Sequence, residues 1–173
     1  MKISTRNIAI AGLLSAITIF LGQTQLGFIP LPNGSGAATI MHIPTIVGGA
    51  LGGVGVGGLA GFVFAVYSFI IYGGFLPNPI AIFLPRILLG IVSSVIYKKL
   101  GSKNRVLGSI VIAIVGTLIN TIGVLGLGYL FGLISLEVIL GILAINLPIE
   151  LILSVLLVTA IVPPIDKALK RSF

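Results

Sequence analysis

Six runs of apolar residues, parted by short polar or glycine- and proline-rich stretches, organise the chain from residue 7 to residue 162. They cover 7–24, 39–51, 54–72, 80–97, 106–129 and 136–162, and each predicts a membrane helix, the second a short one. The fourth, IAIFLPRILLGIVSSVIY, is apolar or small throughout except at Arg86. An arginine inside a membrane helix costs roughly 2.5–3.5 kcal/mol on insertion scales, so it is kept only where it faces protein or water. Pro85 precedes it and removes a backbone donor from the same turn. The stretch 25–38, between the first two runs, is too polar and too broken by proline and glycine for a helix. It reads as a lid or binding loop anchored by Leu26, Phe28, Ile29 and Leu31. The run GGALGGVGVGG, residues 48–58, predicts a tight turn between two closely packed helices. It lacks the lysine and the strand–turn–helix context of a phosphate-binding loop.

Composition narrows the class. Hydrophobic residues make up 57% of the chain and charged ones 8%, against about 25% charged in soluble domains. Mean hydropathy is +1.28. The chain is therefore expected to be an all-α integral membrane protein, a single six-helix domain over residues 1–173. A formal charge of +7 would suit nucleic acid, but its placement excludes that partner. Nine of the ten Lys and Arg residues form three clusters: Lys2 with Arg6, Lys98, Lys99, Lys103 and Arg105 in one loop, and Lys167, Lys170 and Arg171. Basic residues gather on the cytoplasmic side. Even numbers of helices separate the clusters, so both ends of the chain are expected in the cytoplasm. The uncharged loops 25–38, 73–79 and 130–135 then lie outside, with Tyr67 and Tyr72 near the outer interface. The first run begins like a signal peptide but is long and lacks an A-x-A site, so a retained helix is expected. With no cysteine and one histidine, neither a disulfide, a metal site nor another cofactor is expected.

Polar residues inside the apolar runs are the candidate chemistry. Thr39 and His42 are placed one turn apart at the outer end of the second helix. Asn78 is held stiffly between two prolines. Gly116, Asn120 and Gly123 share a face of the fifth helix, and Asn146 and Glu150 a face of the sixth. At about 1.5 Å rise per residue, Arg86 lies roughly 9 Å from the outer end of its helix, Asn120 roughly 13 Å and Asn146 roughly 15 Å, with Glu150 a turn deeper. Arg86, Asn120, Asn146, Glu150, His42, Thr39 and Asn78 are therefore the candidate substrate-binding residues of a pocket open to the outside. Glu150 either neutralises Arg86 or sits beneath the pocket. Each asparagine equally suits a plain interhelical hydrogen bond. In the first helix, small residues recur at four-residue spacing, Ala11 with Ser15 and Gly12 with Ala16. Such faces admit close helix approach in lipid, either within the bundle or to a separate membrane subunit.

The six helices with both ends inside, the small face on the first helix, the long first outer loop, and the stretches ATIMHIPTIVGGALGG, GGLAGFVFAVYSF and LPRILLGIVSSVIYKKL resemble the substrate-binding S component of an energy-coupling factor (ECF) vitamin transporter. The resemblance covers almost the whole chain, and ATIMHIP and LPRILLG carry it most specifically. It implies a subunit of a bacterial plasma membrane that binds a water-soluble vitamin tightly from outside. It also implies partners: a transmembrane coupling subunit and two cytoplasmic ATPase subunits. The family's A-x-x-x-A docking motif falls on Gly12 and Ala16, with glycine in the first place. The chain has no nucleotide-binding motif, which fits separate ATPases, and no enzymatic reaction is expected of it.

Arg86 favours an anionic ligand group, because guanidinium pairs bidentately with carboxylate. The amides, Thr39 and His42 suit hydroxyls and amides. With no tryptophan, a stacked flavin is disfavoured. Pantothenate, with its carboxylate, amide and hydroxyls, is the first expectation. Hydroxymethylpyrimidine or pyridoxine is the second, with Glu150 meeting a ring nitrogen or amine. Two other classes compete. A self-contained secondary transporter or small channel for a polar solute would ordinarily show more deep carboxylates and an internal repeat. A membrane scaffold would take no small ligand.

Overall fold

The computed structural model describes residues 5–32, 36–73 and 76–169. Lys2, Lys170 and Arg171 of the basic clusters lie outside the described residues, as do residues 33–35 of the first loop and the side chain of Tyr72. Six helices follow the six apolar runs: α1 Thr5–Gln23, α2 Ile43–Gly52, α3 Val54–Tyr72, α4 Pro79–Leu100, α5 Arg105–Leu130 and α6 Leu136–Ala168. Five are long and apolar enough to cross a membrane. The exception is α2, whose 10 residues extend only about 15 Å. The molecule is thus an all-α membrane bundle with one short helix inside it.

Helix α2 begins four residues later than the pattern predicts. Pro44 lies in its first turn, where a missing N–H is tolerated. The residues before it are drawn into a small sheet. There β1 (Phe28–Pro30) pairs antiparallel with β2 (Ala37–Thr39), Phe28 opposite Thr39 and Pro30 opposite Ala37. Thr39 is therefore a strand residue and His42 the N-cap of α2, and the two do not share a helical face as expected.

Residues Ile43 to Leu51 of α2 are all buried, because α1, α3, α4 and α6 surround the helix. A helix apolar on every face belongs in such a position. Glycine makes it possible. Gly49 of α2 and Gly57 of α3 both abut the Gly90 carbonyl of α4, and a Cβ at any of the three would strike backbone. The turn predicted over 48–58 shrinks to one residue, Gly53, at φ 84°. Its neighbours are helical, because close helix approach rather than chain reversal is what requires them.

One hydrophobic cluster surrounds α2 and includes Met41, Ile46, Phe64, Leu89, Tyr97 and Val158. A second, with Leu76, Ile82, Leu125, Ile134 and Ile139, closes the end that carries the α3–α4 and α5–α6 loops. At the opposite end, Arg105 of α5 pairs with the buried Asp166 of α6 at 2.6 Å. The Tyr97 hydroxyl of α4 donates to the same carboxylate oxygen at 3.3 Å. Three helix ends are thereby joined beside Lys98, Lys99, Lys103 and Lys167. These contacts explain why α6 runs through Pro163 and Pro164 to Ala168, beyond its predicted end at 162. Burial of Val162 and Asp166 offsets the backbone bonds that the prolines remove. Tyr67 is buried against α1 at Gly22, near the end of that helix.

Candidate functional site

The buried polar residues converge where α5 and α6 meet β2 and the start of α2. Thr117, Asn120 and Thr121 stand at i, i+3 and i+4 on α5, so they share a face, and all three are buried. The Thr117 hydroxyl lies 3.0 Å from His42 Nε2. Thr121 donates to Glu150 Oε2 at 2.6 Å. Asn120 stands between the two threonines, and its buried Oδ1 has no hydrogen-bond partner among the described residues. The same holds for Nδ1 of His42, which is wholly buried. Leaving a buried polar atom unmet costs about 1–3 kcal/mol, so two such atoms on residues that neighbour Thr117 in space or on its helix are a notable expense for the fold.

Arg86 is held from α4. Its Nη1 donates to the Ile82 carbonyl, one turn back, at 3.0 Å. Its guanidinium carbon lies 4.7 Å from the centre of the Phe64 ring on α3. A cation over an aromatic face retains favourable electrostatics away from bulk water. Gly61 lets α3 approach the Arg86 backbone. The ion pair of Arg86 with Glu150, one of two arrangements open in the sequence, does not form. The Glu150 oxygens take the Thr39 N–H at 3.0 Å and the Thr121 hydroxyl, while the salt bridge among the described residues joins Arg105 to Asp166.

Asn146 and Glu150, one turn apart on α6 and both buried, reach the first loop. Asn146 Nδ2 donates to the Ala37 carbonyl at 2.9 Å. The Thr39 hydroxyl donates to the Gly27 carbonyl at 3.2 Å and accepts the Met41 N–H at 3.1 Å. Thr39, Asn146 and Glu150 thus tie loop to bundle. Asn78 acts elsewhere, where its Oδ1 caps α4 by accepting the Ile80 N–H at 2.9 Å. Sequence reasoning missed Thr117, Thr121 and Phe64. The threonines carried a signal, since both flank Asn120 on the small-residue face of α5. Phe64 carried none, because an aromatic in an apolar run is ordinary core. An apolar groove of about 360 Å³ between α4 and α5, lined by Leu84, Pro85, Leu88, Ile119, Ile122 and Gly123 among others, includes none of the polar residues.

The four small residues of α1 divide by face. Ala11 and Ser15 are buried with Thr18, whereas Gly12 and Ala16 are exposed, and a Cβ on Gly12 would meet nothing within 4 Å. Ile8, Leu13, Ile17 and Phe20 are exposed as well.

Two comparisons bear on this geometry. The profile of a family described as "ECF transporter, substrate-specific component" matches residues 6–164. A protein of Lactococcus lactis subsp. cremoris named "Pantothenic acid transporter PanT" is 32% identical to this chain over 99% of each.

Proposed function

The chain belongs to the family of ECF transporter substrate-specific components, and from that membership we propose that its buried polar site binds pantothenate. A family member is a multi-pass protein of the bacterial plasma membrane that supplies the vitamin-binding subunit of an importer. The observation that carries the ligand reading is Asn120 Oδ1, a buried acceptor with no hydrogen-bond partner among the described residues. Pantothenate supplies such donors in its amide and hydroxyls, and its carboxylate matches the planar fork of Arg86. His42 Nδ1 completes the set. The full-length similarity to a protein named for pantothenic acid supports this ligand over hydroxymethylpyrimidine or pyridoxine.

The exposed face of α1 around Gly12 and Ala16 docks a transmembrane coupling subunit, and two cytoplasmic ATPase subunits drive the cycle. The end bearing Lys98, Lys99, Lys103 and Lys167 is cytoplasmic, as basic loops ordinarily are. The chain itself catalyses no reaction. Titration of the purified protein in lipid nanodiscs with pantothenate, pyridoxine and hydroxymethylpyrimidine tests the ligand. Saturable pantothenate binding is expected, weakened about tenfold by Asn120→Ala. A preference for either other vitamin, or unchanged affinity in Asn120→Ala, overturns the assignment.

A further inference from the structure

The sheet of the first loop has two strands, so β2 has one edge on β1 and one edge that no strand covers. Register decides which groups lie on each. The Leu31 N–H donates to the Gly36 carbonyl at 2.9 Å, and the Ile40 N–H to the Gly27 carbonyl at 3.1 Å. The backbone groups of Gly36, Ala38 and Ile40 therefore point toward the β1 side. In an antiparallel pair those of the intervening residues point the other way, so Ala37 and Thr39 present a carbonyl and an N–H on the far edge. Buried backbone groups need partners, and here α6 provides them. Asn146 Nδ2 donates to the Ala37 carbonyl at 2.9 Å, and Glu150 Oε1 accepts the Thr39 N–H at 3.0 Å. Four residues of helix advance about 6 Å, and two residues of strand about 6.6 Å. Side chains at i and i+4 on α6 thus match edge groups at i and i+2 on β2. The Thr121 hydroxyl holds the second Glu150 oxygen at 2.6 Å and aims the carboxylate at the sheet.

We propose that Asn146 and Glu150 are positioning residues that latch the first-loop hairpin shut, standing in for a third strand, and that this latch sets how fast ligand enters and leaves the adjoining site. Both residues serve the loop rather than the ligand. The latch reads backbone, so it places no demand on the side chains at 37 and 39. It rests on the pantothenate reading only for the identity of the ligand, because the contacts lie wholly within this chain.

The chain has no cysteine, so a spin label on Leu26→Cys sits at that one position, at the base of the hairpin. Leu26 is 68% exposed and directly precedes Gly27, whose carbonyl accepts from Ile40 and Thr39. In ligand-free protein, Asn146→Ala and Glu150→Ala are expected to raise the label's mobility. With pantothenate bound, each is expected to speed dissociation about tenfold. Glu150→Gln keeps one oxygen for the Thr39 N–H and is expected to fall between wild type and Glu150→Ala. Unchanged label mobility in folded Asn146→Ala protein overturns the latch whatever happens to affinity, because losing a ligand contact does not move a label in the ligand-free chain. Should Glu150→Ala fail to fold, Asn146→Ala and Glu150→Gln still decide the matter. Absence of pantothenate binding with increased label mobility overturns the ligand assignment and leaves the latch standing.

Discussion

At Arg86 the guanidinium is oriented by its neighbours before any ligand arrives. The Phe64 ring and the Ile82 carbonyl constrain its plane, and a fixed plane suits two parallel hydrogen bonds to one carboxylate. Arg86→Met is expected to weaken pantothenate binding about ten- to a hundredfold. Arg86→Lys should recover part of that loss, since lysine keeps the charge but not the fork. Calorimetric titration of the two variants checks this, and wild-type affinity in Arg86→Met would remove the residue from the site. Gly90 shows a constraint of packing instead. A Cβ there meets the Gly57 backbone, which cannot rotate aside as a side chain can. Gly90→Ala is expected to lower stability by about 1–3 kcal/mol, as overpacking does, seen as an earlier thermal transition. Gly126→Ala is the matched control, because a Cβ at Gly126 meets nothing within 4 Å and alanine favours the helix.

Among the elements, α1 separates two roles that look alike in sequence. Its inward residues, Ala11 and Ser15, are packed against the bundle, so Ala11→Leu is expected to destabilise the fold by about 1–3 kcal/mol. On the outward face, a side chain at Gly12 would start in open space, so Gly12→Leu should leave folding and vitamin binding intact. Uptake in cells that also carry the coupling subunits should fall sharply in Gly12→Leu, because a bulky residue blocks close helix approach. Full uptake would place the docking surface elsewhere. The far end of α6 offers a second contrast. Among the described residues, Arg105→Met leaves the buried Asp166 with its Tyr97 hydroxyl bond, whereas Asp166→Asn leaves the charge on a half-exposed Arg105 within reach of water. Loss of one partner is costly when the survivor is a buried charge. The thermal transition should therefore drop further in Arg105→Met than in Asp166→Asn, and the reverse order would show that the ion pair does not hold these helix ends.

Across the whole molecule, the ends of α4, α5 and α6 meet at the basic end, and the first-loop hairpin docks on α6 away from it. A reporter fused after Phe173 is expected to read cytoplasmic, and one inserted at Gly34 external. An external reading at Phe173, or the same side for both reporters, would break the proposed orientation. Much of this architecture was legible in the chain. Insertion into lipid is decided segment by segment from local composition, so the six helices and the short second one could be read without knowing any contact. The set of polar residues available inside the membrane was equally plain, from Arg86 on α4 to Glu150 on α6. Their pairing was not. Glu150 binds Thr39, 111 positions away, and Asn146 binds Ala37, 109 positions away. Depth along separate helices brings such groups to one level, but which faces meet depends on how each helix is rotated about its axis. That rotation is fixed by backbone contacts such as Gly49, Gly57 and Gly90, which involve three helices at once. Membrane class, helices and available chemistry thus follow from the order of residues alone, because burial in lipid is a property of a segment. That Glu150 serves the loop rather than Arg86, and that Gly12 faces out while Ala11 faces in, emerged only with the packed bundle, because a hydrogen bond or a packed face is a property of two segments brought together.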